Sequence, residues 1–290
     1  MLYSRRLPKF EYLTPDSLKE ACAMLEGNKG QASLIAGGTI LLALMKERRW
    51  VSRFLIGLKN VPGLDYVTYD GDEGLKIGTL ATHRVIANSP VIREKFSLLA
   101  MACNELGSPQ IRNMGTIGGN LCCRFPRAEA VPPLIALNAR AKISSANEER
   151  IIPVADVSRE LKTAELVAEI QIPDMPPNSG MAYQKYAVRR AIDYANVGVA
   201  VVITSSNGSC DDIKIALGGV TATSLRPEKA EGIIKGEKLT DKIISEAAQS
   251  VSDEAQVSSD IDFSAEYKKK LLKALTKRSL KEAWDRAKNA

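Results

Sequence analysis

The sequence predicts an α+β protein: an N-terminal unit of two small α+β parts, then a C-terminal unit in which strands precede helices. Three observations carry this. Helical and strand-like stretches alternate irregularly through residues 1–175, with no long run of strand–helix repeats and no internal repeat of fixed period. Residues 174–180, Asp-Met-Pro-Pro-Asn-Ser-Gly, cannot continue any regular element and mark the clearest boundary. Beyond them, three strand-like stretches give way to helical ones. The expected division is 1–175, with parts at about 1–58 and 59–175, followed by 180–290.

The individual elements follow from local signals. Residues 10–26 read as a turn and then a helix, because Thr14-Pro15-Asp16-Ser17 supplies an N-cap with Pro at the next position, Leu18, Ala21, Cys22 and Leu25 recur at helical spacing, and Gly27 ends the run. Residues 32–36 read as a short buried strand, Gly37-Gly38-Thr39 as a turn, 41–47 as the start of a helix and 53–58 as a second strand. Residues 65–69 and 75–78 flank Asp70-Gly71-Asp72-Glu73-Gly74, the pattern of a hairpin. Helices are expected around 85–88 and 96–105, leading into a glycine-rich loop that ends at Asn120. Pro132-Pro133 interrupts the chain, 134–139 continues apolar, and 141–145 and 151–153 are strand-like. In the last unit 181–188, 197–205 and 212–218 read as strands, the last two joined by Ser206-Asn207-Gly208-Ser209. From Ser224 onward, 227–234, 240–251 and the basic tail read as helices.

Composition removes several function classes. The chain has 290 residues, 45% apolar and 26% charged, which suits two or three packed units. Arg5, Arg6 and Lys9 are followed by no signal-like apolar run, and the longest apolar stretch, 195–203, is too short for a bilayer. A cytoplasmic protein with no membrane span is expected. Five cysteines, none in a Cys-x-x-Cys, suit a reducing compartment, and a single histidine argues against the usual zinc sites. Residues 266–290 hold nine Lys/Arg against three acids, which leaves 31 of 40 basic and 31 of 34 acidic residues elsewhere. Leu271, Leu272, Leu275, Leu280 and Trp284 form an apolar stripe there. The tail therefore reads as a docked helix whose basic face meets solvent or an acidic partner subunit, and nucleic-acid binding is not expected.

The densest glycine pattern is Gly115-Thr116-Ile117-Gly118-Gly119-Asn120, and Ala36-Gly37-Gly38-Thr39-Ile40 repeats its chemistry upstream. Residues without a Cβ let backbone approach a ligand closely, and the N–H groups of such bends can cradle an anion. The two bends together are expected to hold one pyrophosphate. Hydrolase, nicotinamide and nucleotide-triphosphate chemistries are disfavoured by what is missing. There is no Gly-x-Ser-x-Gly to accompany His83, no Gly-x-Gly-x-x-Gly after the first strand, and no Walker A sequence. What survives is a bound cofactor that brings its own redox chemistry, so neither a catalytic residue nor a metal ligand is expected in this chain. Cys103, Cys122 and Cys123 fall short of the four ligands of an iron–sulfur cluster.

Other residues admit two readings each. His83 is a structural histidine bonded to backbone or a neighbour of the cofactor. Arg112 is a fixed charge beside the glycine bend or a salt-bridge arginine. Glu129 accepts hydrogen bonds from a ribose or ring-side hydroxyl, or is an ordinary solvated acid. Tyr183, Lys185, Tyr186 and the 189–194 stretch stack on a ring and reach a phosphate or ring oxygen, or belong to core and surface.

Several stretches, in this order, resemble the FAD-binding medium subunit of the molybdenum hydroxylases, the group containing carbon monoxide dehydrogenase, xanthine dehydrogenase and aldehyde oxidoreductases. They are Phe10-Glu11-Tyr12-Leu13-Thr14-Pro15-Asp16-Ser17-Leu18, Ala36-Gly37-Gly38-Thr39-Ile40-Leu41-Leu42 with Met45-Lys46, and Ile77-Gly78-Thr79-Leu80-Ala81-Thr82-His83. Gln110-Ile111-Arg112-Asn113-Met114-Gly115-Thr116-Ile117-Gly118-Gly119-Asn120-Leu121, Arg189-Arg190-Ala191-Ile192-Asp193-Tyr194-Ala195 and Ala216-Leu217-Gly218-Gly219-Val220 complete the set. The resemblance covers nearly the whole chain. It implies an FAD domain of the PCMH type with two α+β subdomains, then a domain with a three-stranded antiparallel sheet and helices. It further implies that Leu34, Ile35, Ala36, Gly37, Gly38, Thr39, Ile40 and Leu41 grip the FAD pyrophosphate together with Thr116, Ile117, Gly118, Gly119 and Asn120. Glu129 then stands near the ribose, Leu106, Val167 and Lys185 touch the flavin or adenine end, and Tyr194 covers the ring.

The sequence departs from that pattern after Asn120. Where related chains carry a His-Ala-Asp-Pro-like segment, this one has Cys123-Arg124-Phe125-Pro126, so Phe125 replaces one aspartate and Glu129 the other. The short gap to Pro132 leaves no room for the cysteine-bearing insertion of the hydroxybenzoyl-CoA reductase branch. The implied function is that of an oxidoreductase subunit. A substrate is oxidised at a molybdenum cofactor on a large subunit, electrons cross [2Fe–2S] clusters on a small subunit to FAD here, and they leave to NAD, a quinone or another carrier. The implied assembly is a dimer of heterotrimers. A stand-alone FAD-binding module and a UDP-sugar reductase-like flavoprotein are the alternatives.

Overall fold

The computed structural model describes residues 6–189, 193–221 and 224–289. The chain begins with β1 (Glu11–Leu13), α1 (Leu18–Gly27), β2 (Ala32–Ile35), α2 (Leu41–Lys46) and β3 (Phe54–Gly57), the three strands forming a parallel sheet in the order β1-β3-β2. The cap of α1 is Ser17 rather than the residue before Pro15: Ser17 accepts the Glu20 N–H at 3.1 Å, and the Glu20 carboxylate accepts the Asp16 N–H at 2.7 Å. The strand β1 lies where a turn was expected, since three residues become a strand only through the partner they find. β2 is half-buried along its length rather than buried, because it is an edge strand.

The second part contains β4 (Val67–Asp70), β5 (Gly74–Gly78), α3 (His83–Asn88), α4 (Pro90–Lys95), α5 (Ser97–Glu105), α6 (Pro109–Met114), α7 (Ile117–Cys122), α8 (Val131–Ala136), β6 (Arg140–Ser144), β7 (Glu149–Pro153), α9 (Val154–Glu160) and β8 (Leu166–Ile172). Its sheet runs β4-β5-β8-β6-β7, antiparallel throughout. β4 and β5 form the expected hairpin; the central strand β8, which no turn signal announces, was not anticipated. Two further expectations are corrected. The glycine-rich stretch is two short helices joined by a bend, because Thr116 caps α7. Pro132 and Pro133 do not break the chain but sit in the first turn of α8, where no N–H is needed.

The third part holds β9 (Ser179–Tyr186), β10 (Val197–Ser206), β11 (Ser209–Gly218), α10 (Glu228–Ile234), α11 (Asp241–Glu254) and α12 (Ala265–Lys288). The antiparallel sheet has the order β11-β10-β9, and its β10–β11 turn places Asn207 and Gly208 at φ 50° and 80°, as a tight hairpin requires. One sheet face sends Met181, Tyr183, Ala200, Val202 and Ala216 into a core shared with Phe96, Leu99, Leu134 and Ile170. The other face packs Val199, Val201, Ile203 and Ile215 beneath the last three helices. α12 docks through Leu272, Leu275, Leu280 and Trp284, while Lys270, Lys281, Arg286 and Lys288 pair with Glu266, Asp241, Glu282 and Asp285. A smaller cluster, including Cys22, Leu25, Ile56, Leu80 and Leu166, welds the parallel sheet to the five-stranded one. Among the described residues no helix is long and apolar enough to cross a membrane.

Candidate cofactor site

The two glycine bends meet. A Cβ on Gly37 would stand 1.8 Å from the Met114 carbonyl oxygen, so the turn after β2 touches the bend between α6 and α7 backbone to backbone. That second bend is laid along residues 79–83. His83 N–H donates to Gly115 O, Ile117 N–H to Ala81 O and Gly118 N–H to Thr79 O, each at 3.0 Å. Gly118 is pressed so closely on this platform that a Cβ would lie 1.7 Å from Thr79 Oγ1. The 77–83 stretch therefore holds the bend from behind, a role for Thr79 and Ala81 that the sequence reading did not assign. A threonine facing a Gly-Gly pair is the only sequence trace of it.

The bends differ in the donors they present. Among the described residues, the N–H groups of Gly37, Gly38, Thr39 and Ile40 donate to no protein acceptor, and Gly38 takes φ 68° so that the chain can turn there. In α7 the Gly119 N–H is taken by Thr116 Oγ1 at 3.1 Å and the Asn120 N–H by Thr116 O at 2.9 Å. With Ile117 and Gly118 bonded to the platform, all four amides are engaged. Every residue from Leu34 to Leu41 is partly exposed, whereas Thr116, Ile117 and Gly118 are buried and Gly119 is exposed. The first bend thus offers a run of free donors suited to an anion, and the second offers a shaped wall.

Glu129 and Lys185 meet beside this seam. Glu129 is 2% exposed, which removes the solvated reading, and its Oε1 accepts from Lys185 Nζ at 2.5 Å. The same ammonium donates to Glu105 O at 2.7 Å and Asp193 O at 3.4 Å, so its three hydrogens all have protein acceptors. Burial pushes the Glu129 carboxyl up to about 7, with Lys185 and the Gly107 N–H pulling the other way. Leu106 is buried, and its carbonyl accepts Arg112 Nη1 at 3.0 Å, so Arg112 holds backbone rather than forming a salt bridge. Val167 is buried in β8 opposite Ile143.

Asn120 Oδ1 accepts the Ala130 N–H at 3.3 Å and so ties α7 to the segment carrying Glu129. Tyr194 is 45% exposed and meets Phe125 edge to face, ring centroids 5.1 Å apart. His83 is buried beneath Gly115, its Nδ1 3.5 Å from Cys103 Sγ; burial, with Arg112 adding, lowers it to about 4, so it is neutral at physiological pH. Residues 190–192 of the basic-aromatic stretch lie outside the described residues.

Comparison with known proteins identifies the family. Residues 8–175 match the family model described as the FAD binding domain in molybdopterin dehydrogenase, and residues 182–283 match the CO dehydrogenase flavoprotein C-terminal domain. The chain belongs to the FAD-binding medium subunits of the molybdenum hydroxylases. It is 32% identical to the nicotine 6-hydroxylase medium subunit of Paenarthrobacter nicotinovorans, over 96% of this chain and 98% of that one. It is also 32% identical to the glyceraldehyde dehydrogenase medium chain of Sulfolobus acidocaldarius, over 95% and 98%. Among solved structures, carbon monoxide dehydrogenase from Hydrogenophaga pseudoflava, in a form lacking the Mo-pyranopterin moiety, superposes with a TM-score of 0.94 at 32% identity, covering 97% of this chain and 99% of that one.

This medium subunit is part of an oxidoreductase, and its cofactor is FAD. Its residues fit that group. Four consecutive unpaired amides suit a pyrophosphate, and the seam at Gly37 keeps them against the second bend with no room for a side chain.

Proposed function

We propose that this chain is the electron-transferring flavoprotein of a heterotrimeric molybdenum hydroxylase. A large partner carries the molybdenum cofactor where substrate is oxidised, a small partner carries [2Fe–2S] clusters, and two heterotrimers pair. Reducing equivalents arrive from the small partner and leave to NAD, a quinone or another carrier, in the cytoplasm. The observation that carries this reading is similarity from end to end to chains named as medium subunits of such dehydrogenases. The FAD domain is taken as 1–175, with parts 1–58 and 59–175, and the C-terminal domain as 180–290.

FAD supplies electron exchange in one- or two-electron steps at its isoalloxazine ring. The chain's part is to bind and orient. Residues 34–41 receive the pyrophosphate on the free amides of Gly37 to Ile40, and Thr116, Ile117, Gly118, Gly119 and Asn120 form the facing wall. Glu129, held in place by Lys185, serves the ribose or ring-side polar groups, with Leu106, Val167 and Tyr194 at the flavin or adenine end. A Glu129 carboxyl that titrates near 7 can either accept or donate a hydrogen bond there.

The test is purification from the native source without denaturant, followed by heat release of the chromophore and identification of the co-purifying chains. FAD together with a large and a small partner is expected. FAD with no partner would replace this reading by that of a stand-alone module, and absence of FAD would refute it.

A further inference from the structure

The segment between α7 and α8 carries Cys123-Arg124-Phe125-Pro126-Arg127 and has no helix or strand of its own. Arg124 takes φ 49°, a conformation that side chains larger than glycine adopt only when their surroundings impose it. The surroundings do so at three points. Arg124 Nη2 donates to Leu161 O at 3.3 Å, and Pro126 O accepts the Gly219 N–H at 2.9 Å. Arg127 Nη2 meets Asp260 Oδ2 at 2.8 Å, while its Nη1 and Nη2 both reach Asp262 Oδ2 at 3.1 Å.

Those two carboxylates belong to a turn that is itself rigid. Asp260 Oδ1 accepts the N–H groups of Asp262 at 3.0 Å and Phe263 at 2.9 Å. Its Oδ2 also accepts Lys268 Nζ at 2.5 Å, from a lysine only 3% exposed. Two cations face two carboxylates, so the cluster is locally neutral. The turn then presents Phe263, whose ring meets Tyr186 at 5.6 Å and Tyr267 at 5.3 Å. Tyr186 follows Lys185 in β9, and its carbonyl accepts the Asn196 N–H at 2.8 Å.

We infer that Arg127, held by Asp260 and Asp262, is a positioning residue for the FAD site. The 260–263 turn touches the two segments that bring Glu129 and Lys185 together. Through Arg127 it fixes the segment that carries Phe125 and Glu129, each two residues away. Through Phe263 and Tyr186 it fixes the end of the sheet that carries Lys185 and leads to Tyr194. The spacing of the Phe125–Tyr194 and Glu129–Lys185 contacts is therefore set from one point. An arginine is needed because its planar fork reaches two carboxylates at once, which an ammonium does in no fixed plane. The guanidinium is 19% exposed and its carboxylates are 28% and 35% exposed, so the pairs form a part-buried network with Lys268 rather than an isolated surface bridge. Their effect lies in geometry at the site.

This inference rests on the FAD reading above, and its test separates the two. The chain is purified with whatever accompanies it natively, as wild type, Arg127→Ala and Arg127→Lys. Three readouts are taken: the FAD dissociation constant by flavin fluorescence, the visible circular dichroism of bound flavin, and the rate of tryptic cleavage after Arg124 in flavin-free protein. Arg127→Ala is expected to weaken FAD binding and speed cleavage by roughly tenfold each. Arg127→Lys falls between. A lower melting temperature with an unchanged dissociation constant and dichroism overturns the inference. If Arg127→Ala does not fold, Arg127→Lys decides, and wild-type affinity in that variant is again fatal. Wild-type protein without FAD refutes the proposed function, whereas equal FAD in wild type and all variants refutes only the clamp.

Discussion

Gly37→Ala tests the seam between the two bends. The added methyl carbon would stand 1.8 Å from Met114 O, 2.6 Å from Met114 C and 3.1 Å from Gly115 Cα. These are backbone atoms, so no rotamer change relieves the clash. Contacts of this kind do not occur below 3.0 Å, and the two bends must therefore part by about 1.2 Å. Overpacking of that sort costs about 1–3 kcal/mol of stability. At the seam that cost falls on FAD binding, where about 1.4 kcal/mol is a factor of ten in affinity. The expected variant is folded, somewhat less stable, and binds FAD between about tenfold and a hundredfold more weakly in a fluorescence titration of the native assembly.

Two further substitutions calibrate this. Gly119→Ala meets only Thr116 Oγ1, at 3.0 Å, and is expected to fall between wild type and Gly37→Ala. Gly232→Ala, within α10 and with nothing within 4 Å, is expected to stabilise by about 0.5–1 kcal/mol and leave FAD untouched. Wild-type FAD affinity in Gly37→Ala would show that the contact between the bends does not shape the site.

The remaining predictions concern titration and capping. Burial raises Glu129 from 4.5 to about 7, so across that window the folded chain keeps a proton the unfolded chain releases, and stability falls as pH rises. Burial lowers His83 from 6.5 to about 4, so the unfolded chain takes up a proton the folded chain refuses, and stability falls as pH drops. Between pH 4.5 and 6.5 the two slopes oppose each other. Glu129→Gln is expected to unmask a rise in stability with pH of about 1.4 kcal/mol per unit, and His83→Gln a fall of similar size. Urea midpoints across that range check both, and flat profiles in the two variants would contradict the assignment. Thr116→Ala removes the cap that accepts the Gly119 N–H and should cost about 1 kcal/mol, with Thr116→Ser restoring it; an unaltered unfolding midpoint in Thr116→Ala would mean the cap is idle.

Local chemistry determined much of this molecule before any packing was known. Asn207-Gly208 closes a hairpin because both residues tolerate positive φ. Alternation and turn residues sufficed for β4, β5 and the three strands of the last sheet, and the ordered glycine motifs sufficed for the family and for FAD. What sequence could not decide was every contact whose two halves lie far apart in the chain. β1 exists only because β3 lies beside it, and β8 is recognisable as the centre of a sheet only once β5 and β6 flank it. The two glycine bends read as equivalent, yet folding engages the amides of Ile117, Gly118, Gly119 and Asn120 internally, whereas those of Gly37, Gly38, Thr39 and Ile40 find no acceptor among the described residues. Glu129 read as readily as a surface acid until burial beside Lys185, 56 positions away, changed its protonation. Propensity acts through a residue's own backbone and neighbours, whereas burial, donor satisfaction and pKa depend on what the completed fold brings within a few ångströms.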